Sequence, residues 1–338
     1  MNQKHYISEL GEIKLIEIIE NLVFEKLGKN LIRDDSFYFE LEKTTNQKLL
    51  IFNSDMLVAS SDVPRLMSFY QIGRKAVIMN LSDLFIKAVK PKGIIMSLGL
   101  PDNLMISSFK ELLRGIVDQC ERYGLDYIGG DLNKTGEIII NPTVFGFKDP
   151  KKILYRTGIE EGDFLVSNNK FGLTGVGFDI LLNKNGTPEK YPKYKKSIKS
   201  VLEPEVFGLE AYILAEKNLA SAAIDSSDGL LKSLKDLMLS NPHLGFEINC
   251  NENLIDKEAL LYSEEFNIPI EGLVFEAGEE FIHLFIIKPQ NLRLISSIIQ
   301  ERGGKIFKIG RVISEEKVNI IKDGVKIELE GFGYEHFR

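Results

Sequence analysis

Residues 48–62 read KLLIFNSDMLVASSD. Leu49, Leu50, Ile51 and Phe52 form a short apolar run with the make-up of a buried strand. It stops at Asn53-Ser54-Asp55, three oxygen-bearing side chains in a row, and Asp62 follows in the next turn. Upstream, Asp34 and Asp35 precede SFYFELE, and a polar TTNQ turn joins that run to the strand as a hairpin. Carboxylates gathered at one end of a sheet repel one another, and a hard cation is the usual means of offsetting this. The stretch therefore reads as the centre of a magnesium and nucleotide site.

Working outward, SFYFELE and LLIFN are followed by a helix expected over 73–89. Its AVIMNLSDLFIKAV core is almost wholly apolar, and Asn80, Asp83 and Lys87 fall on one face at i, i+3 and i+7. Residues 11–27 carry an apolar helical stripe of Leu15, Ile16, Ile19, Leu22 and Val23. A strand at 93–100, a helix at 106–122 closing near Gly124, a short DYI strand breaking at Gly129-Gly130-Asp131 and a longer strand at 137–147 follow. The polar KDPKK segment at 148–152 reads as a linker. Beyond it come a strand at 163–167, the glycine-rich FGLTGVG, a surface loop at 184–198, a helix at 205–219 and a strand ending at Asp225. Strands at 245–249 and 281–287, a helix at 290–301 and a terminal hairpin turning on Asp323-Gly324 complete the chain. Strands and helices alternate in both halves, so the class is α/β or α+β.

The 338 residues, 44% hydrophobic and 27% charged, suffice for about two domains. A net charge of -7 argues against non-specific nucleic-acid binding but not against phosphates held through metal ions. Two cysteines and four scattered histidines give no disulfide framework and no zinc spacing, so any metal is oxygen-liganded. MNQKHYISEL lacks the features of a signal peptide, and no apolar run approaches roughly 18–20 residues. The expectation is a soluble cytoplasmic protein without a membrane or nucleic-acid partner.

Individual motifs admit two readings. Asp83 in an apolar helix is either salt-bridged to Lys87 or Arg74, or part of a functional polar face. Gly129-Gly130-Asp131 is an ordinary turn, or a close backbone approach to a phosphate with a metal-binding carboxylate beside it. In Asp225-Ser226-Ser227-Asp228-Gly229, Ser227 or Asp228 is a helix N-cap, or the helix start receives a phosphate with Asp225 and Asp228 recruiting magnesium. Arg156 is solvated surface or a phosphate clamp. FGLTGVG lacks the lysine and spacing of the known phosphate loops, and close helix packing explains its glycines equally well. No serine, cysteine or histidine nucleophile arrangement competes with the carboxylates. Magnesium-assisted phosphoryl transfer needs such a set and no prominent general base.

Taken in order, RDD, NSDMLVASSDVP, GRKAVIMNLSD, GGDLN, YRTGIEEGD, IDSSDGL, AGEEF, IGRV and GYEHF resemble the thiamine-monophosphate kinase family. That family belongs to the superfamily of aminoimidazole ribonucleotide synthetase and selenophosphate synthetase. The resemblance spans the chain from about Asp34 onward. It implies an N-terminal ATP- and magnesium-binding domain over 1–148 and a C-terminal domain over 149–338 that completes the nucleotide and substrate site. It also implies a homodimer whose N-terminal sheets pair around a shared nucleotide cleft. The activity implied is transfer of the ATP γ-phosphoryl group to thiamine monophosphate with several Mg²⁺ ions. Carried over by position, Asp35, Asn53, Ser54, Asp55, Asp83, Asp131, Asp225 and Asp228 correspond to the magnesium set. Gly130, Arg156 and Ser227 correspond to nucleotide contacts, and Glu279 and Tyr334 to substrate contacts. Arg33 stands where the pattern has glycine, and Asp62 where it has a substrate-binding histidine. An aspartate cannot donate to a phosphate unless protonated or bridged by metal. The other readings are a different acceptor within the superfamily, or a non-catalytic nucleotide-binding regulator. Neither an N-terminal reactive cysteine nor a C-terminal one is present to favour selenophosphate synthetase or the hydrogenase-maturation dehydratase.

Overall fold

In the computed structural model the described residues are 12–27, 30, 34–40 and 49–331, so Arg33 and Tyr334 lie outside them. Helix α1 (Glu12–Leu27) precedes β1 (Phe37–Glu40), β2 (Leu49–Asn53), β3 (Leu57–Val58), the short α2 (Ala59–Asp62) and the long α3 (Phe69–Ile86). β4 (Pro91–Leu100), α4 (Ile106–Tyr123), β5 (Asp126–Lys134) and β6 (Ile139–Lys148) follow. The strands order as β1-β2-β6-β4-β5, with β3 against β6. Among the described strands of this sheet only β4 and β5 run parallel, and α4 is the crossover that such a pair requires. The expected hairpin is present, with Phe37 opposite Phe52 and Glu40 opposite Leu49.

Helix α3 is buried almost all round. It starts earlier than expected because Ser68 and Gln71 form a reciprocal capping box. It ends earlier too, at Ile86, because Ala88 turns left-handed at φ 57. Its backbone touches α4 directly. A Cβ on Gly73 would lie 2.1 Å from the Leu112 carbonyl oxygen, and one on Gly115 would lie 2.0 Å from that of Tyr70. The DYI strand does not break at the glycines. β5 runs on to Lys134, because Ile128 bulges out of register and Gly129 and Gly130 accept φ of 149 and 155.

The second half builds another sheet. Its elements are β7 (Phe164–Ser167), α5 (Leu173–Phe178), α6 (Lys195–Leu202), α7 (Leu209–Lys217), β8 (Ala222–Ser226), α8 (Leu230–Ser240) and β9 (Gly245–Asn249). Then come α9 (Lys257–Phe266), β10 (Ile282–Ile287), α10 (Leu292–Glu301), β11 (Phe307–Ile313), β12 (Val318–Lys322) and β13 (Val325–Glu328). The order is β13-β12-β9-β11-β7-β10-β8, with β12 and β9 the parallel pair.

Two expectations change here. The segment 184–198 is not all loop, because α6 begins at Lys195 and buries Ser197, Ile198 and Val201. Ser227 and Asp228 are not N-caps, because the cap residue of α8 is Gly229, with no side-chain cap bond. The FGLTGVG glycines serve packing: a Cβ on Gly175 would sit 2.3 Å from the Leu273 carbonyl oxygen, and one on Gly177 would sit 2.3 Å from that of Ser197. The two halves meet where α3 lies against the edge strand β8, and Ser82 Oγ donates to Asp225 Oδ2 at 2.7 Å.

Candidate active site

Three segments converge at that meeting point. β2 ends in Asn53, and Asp55 follows it. Helix α3 brings Asn80 and Asp83, and β8 brings Asp225. Asn53 Nδ2 bridges two of the carboxylates, donating to Asp55 Oδ2 at 2.9 Å and to Asp83 Oδ2 at 2.7 Å. Asn80 pins the Asp55 backbone. Its Oδ1 accepts from Asp55 N at 2.8 Å, and its Nδ2 donates to the Asp55 carbonyl at 3.1 Å. Oxygens of Asp35, Asp83 and Asp225 lie within 4.8 Å of one another. The ion pairs expected of Asp83 do not form. Lys87 turns instead to Asp34 and Asp35, and Arg74 to Glu203 at 3.7 Å.

The electrostatics follow from this. Burial, then Asp55 and Asp225, push the Asp83 carboxyl well above its ordinary value. Burial, then Asp35, push Asp225 up to about 8, against the hydrogen bond from Ser82 and the charge of Arg156. Asp35 behaves oppositely: burial opposes its ionisation, yet Arg156 and Lys87 hold it below the usual carboxylate range. Arg156 Nη2 donates to Asp35 Oδ1, and Lys87 Nζ lies 2.6 Å from Asp35 Oδ2. Arg156 therefore clamps this corner, where it also faces Asp236 at 3.9 Å.

A second polar group lies two turns earlier on α3. Lys75 is fully buried, and its Nζ donates to the Asp62 carbonyl and to Glu279 Oε1, both at 2.5 Å. The Asp62 carboxylate is turned to its own backbone and accepts from Val58 N at 2.6 Å. Burial raises the Glu279 carboxyl while Lys75 opposes the rise. Glu279 is held at φ 61, with its N–H on the Ser227 carbonyl at 2.5 Å. It also lines a cavity of about 540 Å³ bounded by Glu203, Phe207 and Lys305.

The remaining sequence candidates lie further out. Ser54 is exposed and donates to the Pro142 carbonyl at 2.9 Å. Gly130 and Asp131 are exposed on the edge strand β5. Asp131 pairs with Ser97 and Ser97 with Asn141, so Asp131 lies about 10 Å across the sheet from the strand that Ser54 touches. Ser227 and Asp228 are half-buried before α8. The sequence reading missed Lys75, whose signal was its place on the Asp83 face eight residues earlier. It offered Lys87 as an ion-pair partner in one of two readings of Asp83, and that reading does not hold. It also missed His283, directly opposite Asp225 on β10, which burial holds down at about 4.

Residues 33–147 match the family described as AIR synthase related protein, N-terminal domain. A thiamine-monophosphate kinase of Nitrosopumilus maritimus is 32% identical over 335 residues, covering 98% of this chain and 100% of that protein. A thiamine-monophosphate kinase of Pyrococcus horikoshii is 28% identical, covering 95% of this chain and 96% of its own length. Among solved structures, "AaThiL complexed with AMPPCP and TMP" superimposes with a TM-score of 0.83 at 26% identity, covering 98% of this chain and 99% of that one.

Proposed function

The chain belongs to the thiamine-monophosphate kinase family, and from that premise we propose that it transfers the γ-phosphoryl group of ATP to thiamine monophosphate, giving thiamine diphosphate and ADP. The observation that carries the reading is the group Asp35, Asp83 and Asp225, whose carboxylate oxygens lie within 4.8 Å of one another from three separate segments. Asp55 is tied to Asp83 through Asn53, and among the described residues Asp55, Asp83 and Asp225 are in no ion pair. Such a group suits a divalent cation on chemical grounds: all its donors are hard oxygens, and burial with mutual repulsion disfavours the bare charges. Asp35, Asp55, Asp83 and Asp225 would hold Mg²⁺, with Asn53 and Ser54 at the strand end. The resemblance would add Asp131 and Asp228. Bound Mg²⁺ would offset the charge of the transferring phosphates.

The protein's own part is positioning. Arg156, Gly130 and Ser227 face the nucleotide side. A Cβ on Gly130 would meet the Met96 carbonyl oxygen at 1.8 Å, so glycine is needed there for the close approach of the β4 backbone. Lys75, buried between the Asp62 carbonyl and Glu279, fixes Glu279 at the wall of the cavity where the acceptor would lie. An oxygen of the acceptor's phosphate attacks the γ-phosphorus, the bond to the β–γ bridging oxygen breaks, and its electron pair leaves with ADP. A phosphomonoester with a second pKa of about 6 is mostly dianionic at neutral pH, so no side-chain base is required.

We also propose that the chain divides near Lys148, and that it acts as a cytoplasmic homodimer. What supports the dimer is the edge strand β5, exposed along its length, with Ile128 and Leu132 facing outward. No helix among the described residues is long and apolar enough to cross a membrane. The test is incubation of the purified protein with ATP, Mg²⁺ and thiamine monophosphate, with Asp55→Asn as control. Thiamine diphosphate from the wild type alone is the expected result. ATP binding without product removes the kinase reading and favours a nucleotide-binding regulator.

A further inference from the structure

Glu279 sits in a segment whose backbone is strained. Glu279 and Phe281 both take left-handed φ, 61 and 48, one residue apart, and neither is a glycine. Such a conformation persists where its surroundings over-determine it. The Glu279 N–H donates to the Ser227 carbonyl at 2.5 Å, the Phe281 N–H donates to that of Ser226 at 3.0 Å, and Phe281 itself is buried. Between them, Glu280 reaches the start of α5. Its Oε1 accepts from Gly172 N at 2.7 Å and from Thr174 N at 3.4 Å. The cap residue of α5 is Gly172, which has no side-chain oxygen to offer those N–H groups, and Glu280 supplies one from 108 residues away in the chain. Burial pushes the Glu280 carboxyl up to about 7 and the two N–H bonds oppose the rise, so the contact is what favours a carboxylate at this place.

We propose that Glu280 is a positioning residue of the acceptor site, which by gripping the start of α5 fixes the backbone of 279–281 so that Glu279 meets Lys75 and faces the cavity. The proposal rests on the acceptor reading of that cavity and deepens it. The segment is held from two sides: Glu279 Oε1 lies 2.5 Å from Lys75 Nζ on α3, and the next residue holds Gly172. Without the second grip the left-handed residues relax toward ordinary φ, and the Glu279 side chain swings off the cavity wall. Fixing it in advance removes an ordering cost from acceptor binding. The turn that carries Asp225 is secured separately, by Ser82 Oγ on Asp225 Oδ2 and by Ser233 Oγ on the Asp225 carbonyl at 3.0 Å, so the nucleotide side does not depend on Glu280.

Calorimetric titration of the full chain with thiamine monophosphate, in the presence of Mg²⁺ and β,γ-methylene ATP, tests this. Glu280→Ala is expected to raise the Kd roughly tenfold and to leave the Kd of β,γ-methylene ATP unchanged. Glu280→Gln keeps an acceptor oxygen at the same reach and is expected to restore most of the affinity. In a Glu279→Gln background, Glu280→Ala is expected to add less than about a twofold change, since it acts through Glu279. A folded Glu280→Ala protein with the wild-type Kd overturns the proposal, whatever its melting temperature, because a merely structural contact changes stability alone. A full tenfold loss in the Glu279→Gln background overturns it as well, since Glu280 would then touch the ligand itself. Should Glu280→Ala fail to fold, Glu280→Asp, one methylene shorter, takes its place in both comparisons. A wild type that binds thiamine monophosphate but forms no thiamine diphosphate with ATP removes the kinase reading and leaves the comparison of affinities standing. A wild type that does not bind it removes the acceptor reading and the proposal with it.

Discussion

Asp83→Asn separates a metal-binding carboxylate from a structural one, because the two roles predict opposite signs of stability. Asp83 and Asp225 have oxygens within 4.8 Å, and at an effective dielectric near 20 two such charges repel by about 3 kcal/mol. Protonation limits this cost to about 4 kcal/mol at pH 7 for a group of ordinary pKa 3.8, so the two figures bracket the same penalty. Asparagine keeps the shape and can still accept from Asn53 Nδ2, which lies 2.7 Å from Asp83 Oδ2. In EDTA the variant should therefore be more stable than the wild type by about 3 kcal/mol, or roughly 4 °C in Tm for a chain of 338 residues. With Mg²⁺ the order should invert, and kcat/KM should fall on the order of 10²-fold or more as a metal carboxylate is lost. Thermal melts with and without Mg²⁺, alongside the coupled kinase assay, measure both effects. An Asp83→Asn protein that melts below the wild type in EDTA would refute the reasoning, since Asp83 would then be held by a favourable partner.

Asp225 predicts a pH dependence for the metal-free protein. Its carboxyl is raised to about 8 in the fold from 3.8, so its contribution is most favourable at low pH and is lost as pH rises from about 4 to 8. Between pH 5 and 7 the wild type in EDTA should lose about 1.4 kcal/mol per unit relative to Asp225→Asn, and Mg²⁺ should abolish the difference. Parallel melting curves for the two proteins would contradict this. Lys75→Met should raise the KM for thiamine monophosphate by roughly 10–100-fold, because Glu279 loses the charged hydrogen bond that fixes it at the cavity wall, and leave that for ATP nearly unchanged. A shift confined to ATP would put Lys75 on the wrong side of the reaction.

The strand LLIFN, its polar end, the hairpin before it and the crossover helix after β4 could be read directly, because each rests on near neighbours in the chain. An apolar run of four residues, a glycine after a helix or an Asp-Gly turn constrains the backbone wherever it occurs. The reading failed where local signals were ambiguous. A Gly-Gly-Asp triplet announces a turn, yet the β4 backbone beside it draws the strand through with a bulge at Ile128. Ser227 and Asp228 have the composition of a helix cap, but the chain from 277 to 281 packs against them, and the helix starts later, at Leu230, with Gly229 as its cap residue.

The sequence by itself determined which residues carry charge, which stretches bury, and the order of motifs that marks the family. The tertiary structure alone decided which charge answers which. Asp83 has Lys87 one turn away on its own helix, and a local rule pairs them. Folding brings Asp34 and Asp35 to Lys87 from about fifty residues upstream, and Arg156 and Asp225 from the other half of the chain. Neutralisation depends on distance in space and on exclusion of water, and neither is written in the spacing of residues along the chain.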